Sequence, residues 1–187
     1  MCLVNPESIT LVQSRARCVY TEQEVEKALD LMSEQITAEL SDSNPIVMCI
    51  MNGGLVISGK LATRLAFPLQ IDYLHATRYR EQTSGSDLQW KTYPSQSLKG
   101  RVVLLVDDIL DEGVTLDKIH HYCQQQGAEK VLSAVLLDKQ HDRKVSDIAA
   151  DFVGFKVEDF YLYGYGMDYK GYLRNAAGIY AVADEDL

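Results

Sequence analysis

Residues 101–116 read RVVLLVDDILDEGVTL, and this stretch decides the fold. Val102 to Val106 is continuously apolar, which predicts a strand buried on both faces of a parallel sheet. A helix is predicted to begin near Val114 or Thr115 and to end at Gly127, because glycine favours the position that follows a helix. A buried strand that leads through a short loop into a helix is the repeating unit of α/β proteins.

The same alternation continues on both sides of this stretch. Thr21 and Glu24 form a T-x-x-E capping box, and apolar residues at helical spacing predict a helix to about Leu40. A second helix is predicted from after Gly54 to about Leu65. Apolar runs predict further strands at Ile46–Met51, Leu69–Ala76, Lys130–Leu137, Phe152–Phe155 and Ile179–Val182. We therefore expect an α/β fold with a mostly parallel central sheet flanked by helices.

Two segments carry no such pattern. Arg80 to Lys99 is polar and has no usable period, so we expect a long loop, and loops of this length in compact domains are usually functional or disordered. Residues 1–20 also show no clear period, and no element is predicted there.

Composition excludes several classes of function. The chain has 187 residues, 47% of them hydrophobic, with a net charge of −9, and this acidic balance argues against a nucleic-acid partner. The sequence shows no signal-peptide pattern and no run of about 20 apolar residues, so no membrane partner is expected. The cysteines are Cys2, Cys18, Cys49 and Cys123, and without a CxxC pair they indicate reduced thiols in a cytoplasmic protein.

The acids of the central stretch indicate a ligand. Asp107 and Asp108 follow the predicted strand, where open α/β sheets bind their ligands. Gly113 and Thr115 then lead into a helix N-terminus, which favours a phosphate group. Paired carboxylates accept hydrogen bonds from vicinal ribose hydroxyls or face Mg²⁺. A solvated acidic turn with Asp111 as N-cap explains each acid alone, but it explains the whole arrangement poorly.

The stretch VVLLVDDILDEGVTL resembles the phosphoribosyl-pyrophosphate (PRPP) motif of the type I phosphoribosyltransferases. The resemblance implies that Asp107 and Asp108 contact the ribose hydroxyls. It also implies that the 5′-phosphate is bound by a loop whose residues are Asp111, Glu112, Gly113, Val114 and Thr115. Many members have Thr at the position of Glu112, and several purine enzymes have Lys at that of Val114. Because a carboxylate near phosphate is unfavourable, we expect Glu112 to offer its backbone N–H and to face solvent.

From about Asn44 to the C-terminus the chain resembles the hypoxanthine-guanine branch of that family. The resemblance implies the type I phosphoribosyltransferase fold, in which a small hood lobe made by the terminal segments covers the core. We expect one domain over residues 1–187, with the core at about 40–150 and the hood at about 1–20 and 151–187.

The resemblance assigns the pyrophosphate contacts to two places. Met51, Asn52 and Gly53 stand where the family has a pyrophosphate-binding loop, usually with Lys in place of Asn52, and often with a cis peptide bond before that position. A plain strand-to-helix turn explains this loop equally well on its own. Arg174 lies six residues past Asp168 in a second, more specific pattern, and the resemblance implies that it clamps pyrophosphate.

The purine contacts are implied by the residues after the PRPP motif. Lys139 would bind the 6-oxo group, because a cation there accepts hypoxanthine or guanine and rejects the amino group of adenine. Tyr161 would stack on the purine ring and the backbone of Leu162 would meet the base edge. Asp168 would lie at this site and contact Mg²⁺, for which Asp107 and Asp108 are the other candidate ligands. Without these neighbours, Lys139 is explained as one of many surface lysines.

Three tyrosines, two lid positions and the histidines are assigned no role in binding the base or PRPP. Tyr163, Tyr165 and Tyr169 are interpreted as packing residues rather than binding residues. Arg78 and Tyr79 stand where the family has a Ser-Tyr pair on a mobile lid, and only the tyrosine matches. No metal-ligand spacing or catalytic role is assigned to the four histidines, which are His75, His120, His121 and His141.

The predicted function is purine salvage, in which the 5-phosphoribosyl group moves from PRPP to hypoxanthine or guanine and pyrophosphate leaves. Asp111 is the candidate base for the purine N7 proton, and Mg²⁺ is the expected cofactor. The family resemblance implies a homodimer or homotetramer, with a subunit contact near Tyr73 to His75. Two alternatives stay open, a PRPP-sensing regulator with the same fold and a transferase that prefers xanthine or a pyrimidine.

Overall fold

The computed structural model describes residues 5–78, 88–145 and 147–187. Its elements follow in chain order as α1 (Pro6–Arg15), β1 (Arg17–Thr21), α2 (Glu22–Leu40), β2 (Ile46–Met51), α3 (Leu55–Ala62), β3 (Gln70–Arg78), β4 (Leu88–Thr92), β5 (Val102–Leu110), α4 (Val114–Gln125), β6 (Lys130–Lys139), β7 (Phe152–Val157), β8 (Leu162–Tyr163), β9 (Gly178–Ala181) and a short 3₁₀ turn at Asp184–Asp186. The helix that begins at the capping box of Thr21 and Glu24 is confirmed, with both reciprocal hydrogen bonds present.

A six-stranded sheet with the order β4-β3-β2-β5-β6-β7 forms the core. Its pairs are parallel except for β4, which runs antiparallel to β3 at one edge. Alternate residues of β5 explain why the sheet needs helices on both faces. Leu104 and Val106 pack in the cluster that holds the apolar side chains of α2 and α3. Val103 and Leu105 pack in the cluster that includes Leu116 of α4, so the predicted parallel, doubly covered strand is confirmed.

The central strand is longer than predicted. We expected it to end at Val106, but β5 continues to Leu110 because β6 also extends and keeps pairing with it. Asp107 pairs with Val135 and Leu110 with Asp138 in this added part of the ladder. The acid pair therefore lies within the last four residues of the strand rather than in a loop after it. The strand geometry fixes the directions of both carboxylates.

A second sheet of three strands has the order β1-β9-β8 and draws on both ends of the chain. The sequence left residues 1–20 unassigned, apart from the expectation that they join the small lobe. The structure has α1, whose N-cap Asn5 accepts from the N–H of Glu7, followed by β1. The small lobe predicted from residue 151 onward also begins later, because β7 pairs in parallel with β6 and belongs to the large sheet.

The predicted loop from Arg80 to Lys99 is interrupted by β4, whose residues Leu88–Thr92 alternate between half-buried and exposed positions along β3. An alternating pattern of only five residues, flanked by polar segments, was too short to predict this strand. Of the two lid positions, Arg78 ends β3 and Tyr79 lies outside the described residues.

Two further expectations concern the chain as a whole. Within the described ranges, no helix combines the length and the hydrophobicity needed to cross a bilayer. Cys18, Cys49 and Cys123 are free thiols, and the last two are buried in the core as predicted.

Candidate active site

A cavity of about 460 Å³ opens at the carboxyl ends of β2, β5 and β6, beside the small sheet. It brings together residues that the sequence separates by more than a hundred positions. Those of the predicted set that line it are Met51, Gly53, Asp107, Asp108, Asp111, Thr115, Lys139, Tyr161, Leu162, Asp168 and Arg174. Carboxyl ends of adjacent parallel strands are where α/β folds place ligands, so the site lies where the topology favours one.

Asp107 and Asp108 form the acidic floor of this cavity. Asp108 is 8% exposed, and its backbone N–H donates to Oδ1 of Asp107 at 3.0 Å. Burial raises the pKa of Asp107 well above its ordinary value, and the Asp108 carboxylate raises it further. Burial also raises the pKa of Asp108. Two adjacent carboxylates in a buried wall are stable as anions only with hydrogen-bond donors or a cation in front of them.

Arg174 supplies part of that positive charge. Its Nη1 lies 3.9 Å from Oδ2 of Asp108, while its guanidinium also donates to a carboxylate oxygen of Asp168 and to the carbonyl of Gly166. The other Asp168 oxygen accepts from the N–H of Gly171 at 2.6 Å. Arg174 therefore joins the acid pair to Asp168 across the cavity.

The loop after β2 packs directly against the acid pair. The peptide bond between Met51 and Asn52 is cis, as the family resemblance implied. A Cβ on Gly53 would lie 2.3 Å from Oδ2 of Asp108, so only glycine permits this approach. On the other side, a Cβ on Gly166 would lie 2.0 Å from the Gly53 carbonyl oxygen, and Gly166 has a φ of +107°.

We expect Gly166→Ala to displace this loop. The added methyl group collides with backbone rather than with a flexible side chain, and overpacking of this kind costs about 1–3 kcal/mol. The matched control is Gly100→Ala, because Gly100 also has a positive φ of +67° but has open space around it. Thermal unfolding of both variants measures this loss of stability. Equal behaviour of the two variants would show that the close approach to Gly53 is unimportant.

Lys139 is not an ordinary surface lysine. It ends β6, is 9% exposed and projects into the cavity, where its Nζ lies 3.2 Å from Oδ1 of Asp159 and 3.7 Å from Oδ2 of Asp111. Two carboxylates therefore flank its ammonium group on the cavity side. Its ammonium group can therefore act as a fixed hydrogen-bond donor at the cavity wall.

His141 is a site residue that no sequence pattern indicates. Its side chain is 6% exposed, and its Nε2 lies 2.6 Å from Oδ1 of Asp111. Ligand atoms of His141, Asp111 and Asp159 all lie within 4.8 Å of one another, a grouping that the spacing of the histidines along the chain does not predict. Thirty residues separate His141 from Asp111 along the chain, and no local spacing signals a contact that depends on β5 and β6 being neighbours.

The loop that precedes α4 excludes one alternative and corrects one expectation. Gly113, with φ of +85°, is the N-cap residue, so Asp111 does not cap this helix and its carboxylate faces the cavity wall. Glu112 does not simply face solvent. Its side chain is 30% exposed and lies 3.5 Å from Nη1 of Arg143, which offsets its negative charge beside the helix N-terminus.

The aromatic residues divide as predicted. Tyr163, Tyr165 and Tyr169 are buried. Tyr161 is 46% exposed and presents its ring at the cavity, held edge-on by Tyr169 with centroids 5.8 Å apart. Leu162 is buried in β8 next to it.

The chain is similar in sequence and in structure to known phosphoribosyltransferases. The family described as phosphoribosyl transferase domain matches residues 18–170. A hypoxanthine-guanine phosphoribosyltransferase of Bacillus subtilis is 31% identical over 85% of this chain and 88% of its own length. A hypoxanthine-guanine-xanthine phosphoribosyltransferase of Tritrichomonas foetus is 29% identical over 85% of this chain and 87% of its own length. A crystal structure of a Staphylococcus aureus hypoxanthine phosphoribosyltransferase superposes with a TM-score of 0.87 and 26% identity, over 98% of each chain.

Proposed function

This chain belongs to the family of phosphoribosyl transferase domains, and we propose that it transfers the 5-phosphoribosyl group of PRPP to hypoxanthine or guanine. The products would be IMP or GMP and pyrophosphate, which makes the reaction one of purine salvage. The observation that carries this proposal is one cavity that presents the acid pair Asp107 and Asp108, the buried cation Lys139 and the exposed ring of Tyr161. The names of the relatives support the same reaction class.

Ribose phosphate would lie along the end of β5 and the start of α4. Asp107 and Asp108 accept hydrogen bonds from the two ribose hydroxyls, which would supply the donors that a buried acid pair needs. The 5′-phosphate would bind the N–H groups at the N-terminus of α4, where Thr115 adds a hydroxyl. Gly113 leaves this helix end without a side-chain cap, so its amides remain available to an anion.

Carboxylate oxygens are the ligands that Mg²⁺ prefers, and Asp107, Asp108 and Asp168 offer them on facing walls of the cavity. Both oxygens of Asp168 already accept a hydrogen bond from Arg174 or Gly171, and each retains a further lone pair. The donor set therefore fits this ion. Bound Mg²⁺ would neutralise charge on PRPP and on the leaving pyrophosphate. Arg174 and the backbone of Met51, Asn52 and Gly53 would hold the pyrophosphate itself.

The purine would enter between Tyr161 and Lys139. The Tyr161 ring stacks on the base, the ammonium of Lys139 donates to the 6-oxo group, and the backbone of Leu162 meets the base edge. An adenine amino group would place hydrogen against the ammonium, which explains discrimination against adenine.

In this proposal Asp111 acts as the base. The purine N9 forms the new bond to ribose C1 while the bond to pyrophosphate breaks through an oxocarbenium-like transition state. The proton from N7 moves to the Asp111 carboxylate, and Oδ2 of Asp111 lies 3.7 Å from Lys139, the residue that would bind the neighbouring O6. The two groups would thus address adjacent atoms of one purine edge.

A steady-state assay with PRPP, Mg²⁺ and each base tests the proposal. We expect pyrophosphate release with hypoxanthine and with guanine. Release with no base, together with tight PRPP binding, would favour the regulator that only senses PRPP. A higher kcat/KM for xanthine would favour the second alternative, which the name of the Tritrichomonas relative makes specific.

We further propose a homodimer that buries an apolar surface formed by α3 and the edge of the sheet at β3. Leu55, Ile71 and Tyr73 are 54%, 60% and 50% exposed and line one cavity together. Exposed apolar patches of this kind mark contact surfaces. This surface includes Tyr73, near which the family resemblance implies a subunit contact. Sedimentation of the full chain at several concentrations tests whether it forms a dimer.

Glu112→Gln should tighten PRPP binding. The substitution keeps the side-chain shape and removes one negative charge beside the phosphate loop, while Arg143 still donates to Asp159. A charge at a helix N-terminus is worth about 0.3–1 kcal/mol, so we expect the KM for PRPP to fall about two- to fivefold. Glu129→Gln is the control, because Glu129 is an exposed carboxylate before β6, away from the cavity. An equal change in both variants would assign the effect to net charge alone.

A further inference from the structure

His141 makes a directed contact with the side chain proposed as the base. Its ring lies two residues past the end of β6, and its Nε2 is 2.6 Å from Oδ1 of Asp111. The backbone N–H of Arg143 points at the other ring nitrogen, Nδ1, at 3.1 Å. Since an N–H donor faces Nδ1, that nitrogen accepts, and the ring proton lies on Nε2 and is donated to Asp111.

Asp111 needs such a partner because cations surround it. Lys139 lies 3.7 Å from its Oδ2 and Arg143 lies 3.7 Å from its Oδ1, both beyond hydrogen-bond distance. The Asp111 side chain is 38% exposed, so burial alone does not fix its orientation. A direct hydrogen bond between Asp111 and Lys139, in place of the present 3.7 Å ion pair, would occupy the base needed at N7 and the donor needed at O6 at the same time.

We propose that His141 is a positioning residue that holds Oδ1 of Asp111 and thereby keeps Oδ2 free in the cavity as the base. The inference rests on the proposed function for its catalytic consequence. The contact itself is independent of that function. His141 does not touch the purine in this arrangement, because its ring is 6% exposed and does not line the cavity.

The same atoms do not favour a metal ion. A cation bound by His141, Asp111 and Asp159 would compete with two positively charged groups. Asp159 already accepts from Lys139 with one oxygen and from Arg143 with the other. A divalent ion would have to displace both, so the structure favours a hydrogen-bonding role for His141.

The kinetic test compares His141→Ala, His141→Gln and His121→Ala at saturating PRPP with hypoxanthine varied. A misplacement of about 1 Å can cost about 100-fold in rate, and we expect the alanine variant to lose about tenfold in kcat with the KM for PRPP unchanged. Glutamine, whose amide nitrogen can replace the Nε2 donor, should recover most of the loss. His121 is on the exposed face of α4 with a 66% exposed side chain, and its variant should match the wild type.

A double-mutant cycle separates positioning from general damage. In an Asp111→Asn background, His141→Ala should cause no further loss of kcat, because its partner no longer acts as a base. An equal tenfold loss in both backgrounds, or an unchanged kcat in the single variant, would overturn the inference.

Side-chain ¹⁵N NMR of the histidines tests the contact without any turnover. We expect His141 as the tautomer protonated at Nε2, with a signal that moves in Asp111→Asn and stays in His121→Ala. A proton on Nδ1, or a His141 signal that ignores Asp111→Asn, would refute the contact. If the wild-type chain releases no pyrophosphate with any base while these spectra appear as expected, the proposed function fails and the contact stands.

Discussion

Asp111→Asn is expected to lower kcat for hypoxanthine by about 100- to 10,000-fold, the range that general base catalysis contributes. Asparagine keeps the shape of the side chain and its reach toward His141, but it cannot take the N7 proton. PRPP binding should persist, because ribose and phosphate contacts are assigned to Asp107, Asp108 and the backbone before α4. Turnover should therefore fail at the chemical step.

Steady-state kinetics and equilibrium binding of PRPP, measured on the same preparation, check this result. Asp117→Asn is the matched control, since Asp117 lies in the first turn of α4 with a 39% exposed side chain and does not line the cavity. A kcat for Asp111→Asn within a few-fold of the control would remove Asp111 from the mechanism. A loss of PRPP affinity with kcat retained would reassign it to phosphate binding.

Lys139→Met is expected to lower kcat/KM for hypoxanthine by about 100-fold. The ammonium is nearly buried, and hydrogen bonds from charged donors contribute about 1.5–3 kcal/mol. Methionine preserves most of the stem but offers no donor to the 6-oxo group. Discrimination between hypoxanthine and adenine should fall by a similar factor, because the substitution removes the group that distinguishes an oxygen from an amine.

Lys130→Met is the control for this experiment. Lys130 begins the same strand that Lys139 ends, so it lies at the opposite end of β6 from the cavity, where it pairs with Glu39 of α2. Competition between hypoxanthine and adenine in one assay gives the ratio of kcat/KM directly. If the Lys139→Met variant still prefers hypoxanthine to adenine, other groups in the cavity recognise the base.

The sequence predicted most of the fold because local patterns carry it. Continuous apolar runs such as Ile46–Met51 identify strands buried on both faces, and the capping box at Thr21 fixes where α2 begins. Elements with short or mixed patterns were lost. β4 is only five residues long and pairs with the strand before it, while the first helix, Pro6–Arg15, packs against residues more than 140 positions away in sequence.

The sequence by itself determined the kinds of groups at the site, because a strand, two acids, a glycine and a helix start are specified within 15 residues of chain. Tertiary structure alone decided how those groups meet. Parallel pairing of β5 with β6 carries His141 to Asp111 and turns Lys139 from a surface lysine into a buried cation. The backbone of Gly166, more than 100 residues further along the chain, packs directly against Gly53 beside the acid pair. These contacts depend on the packing of whole elements, and no local spacing of residues encodes them.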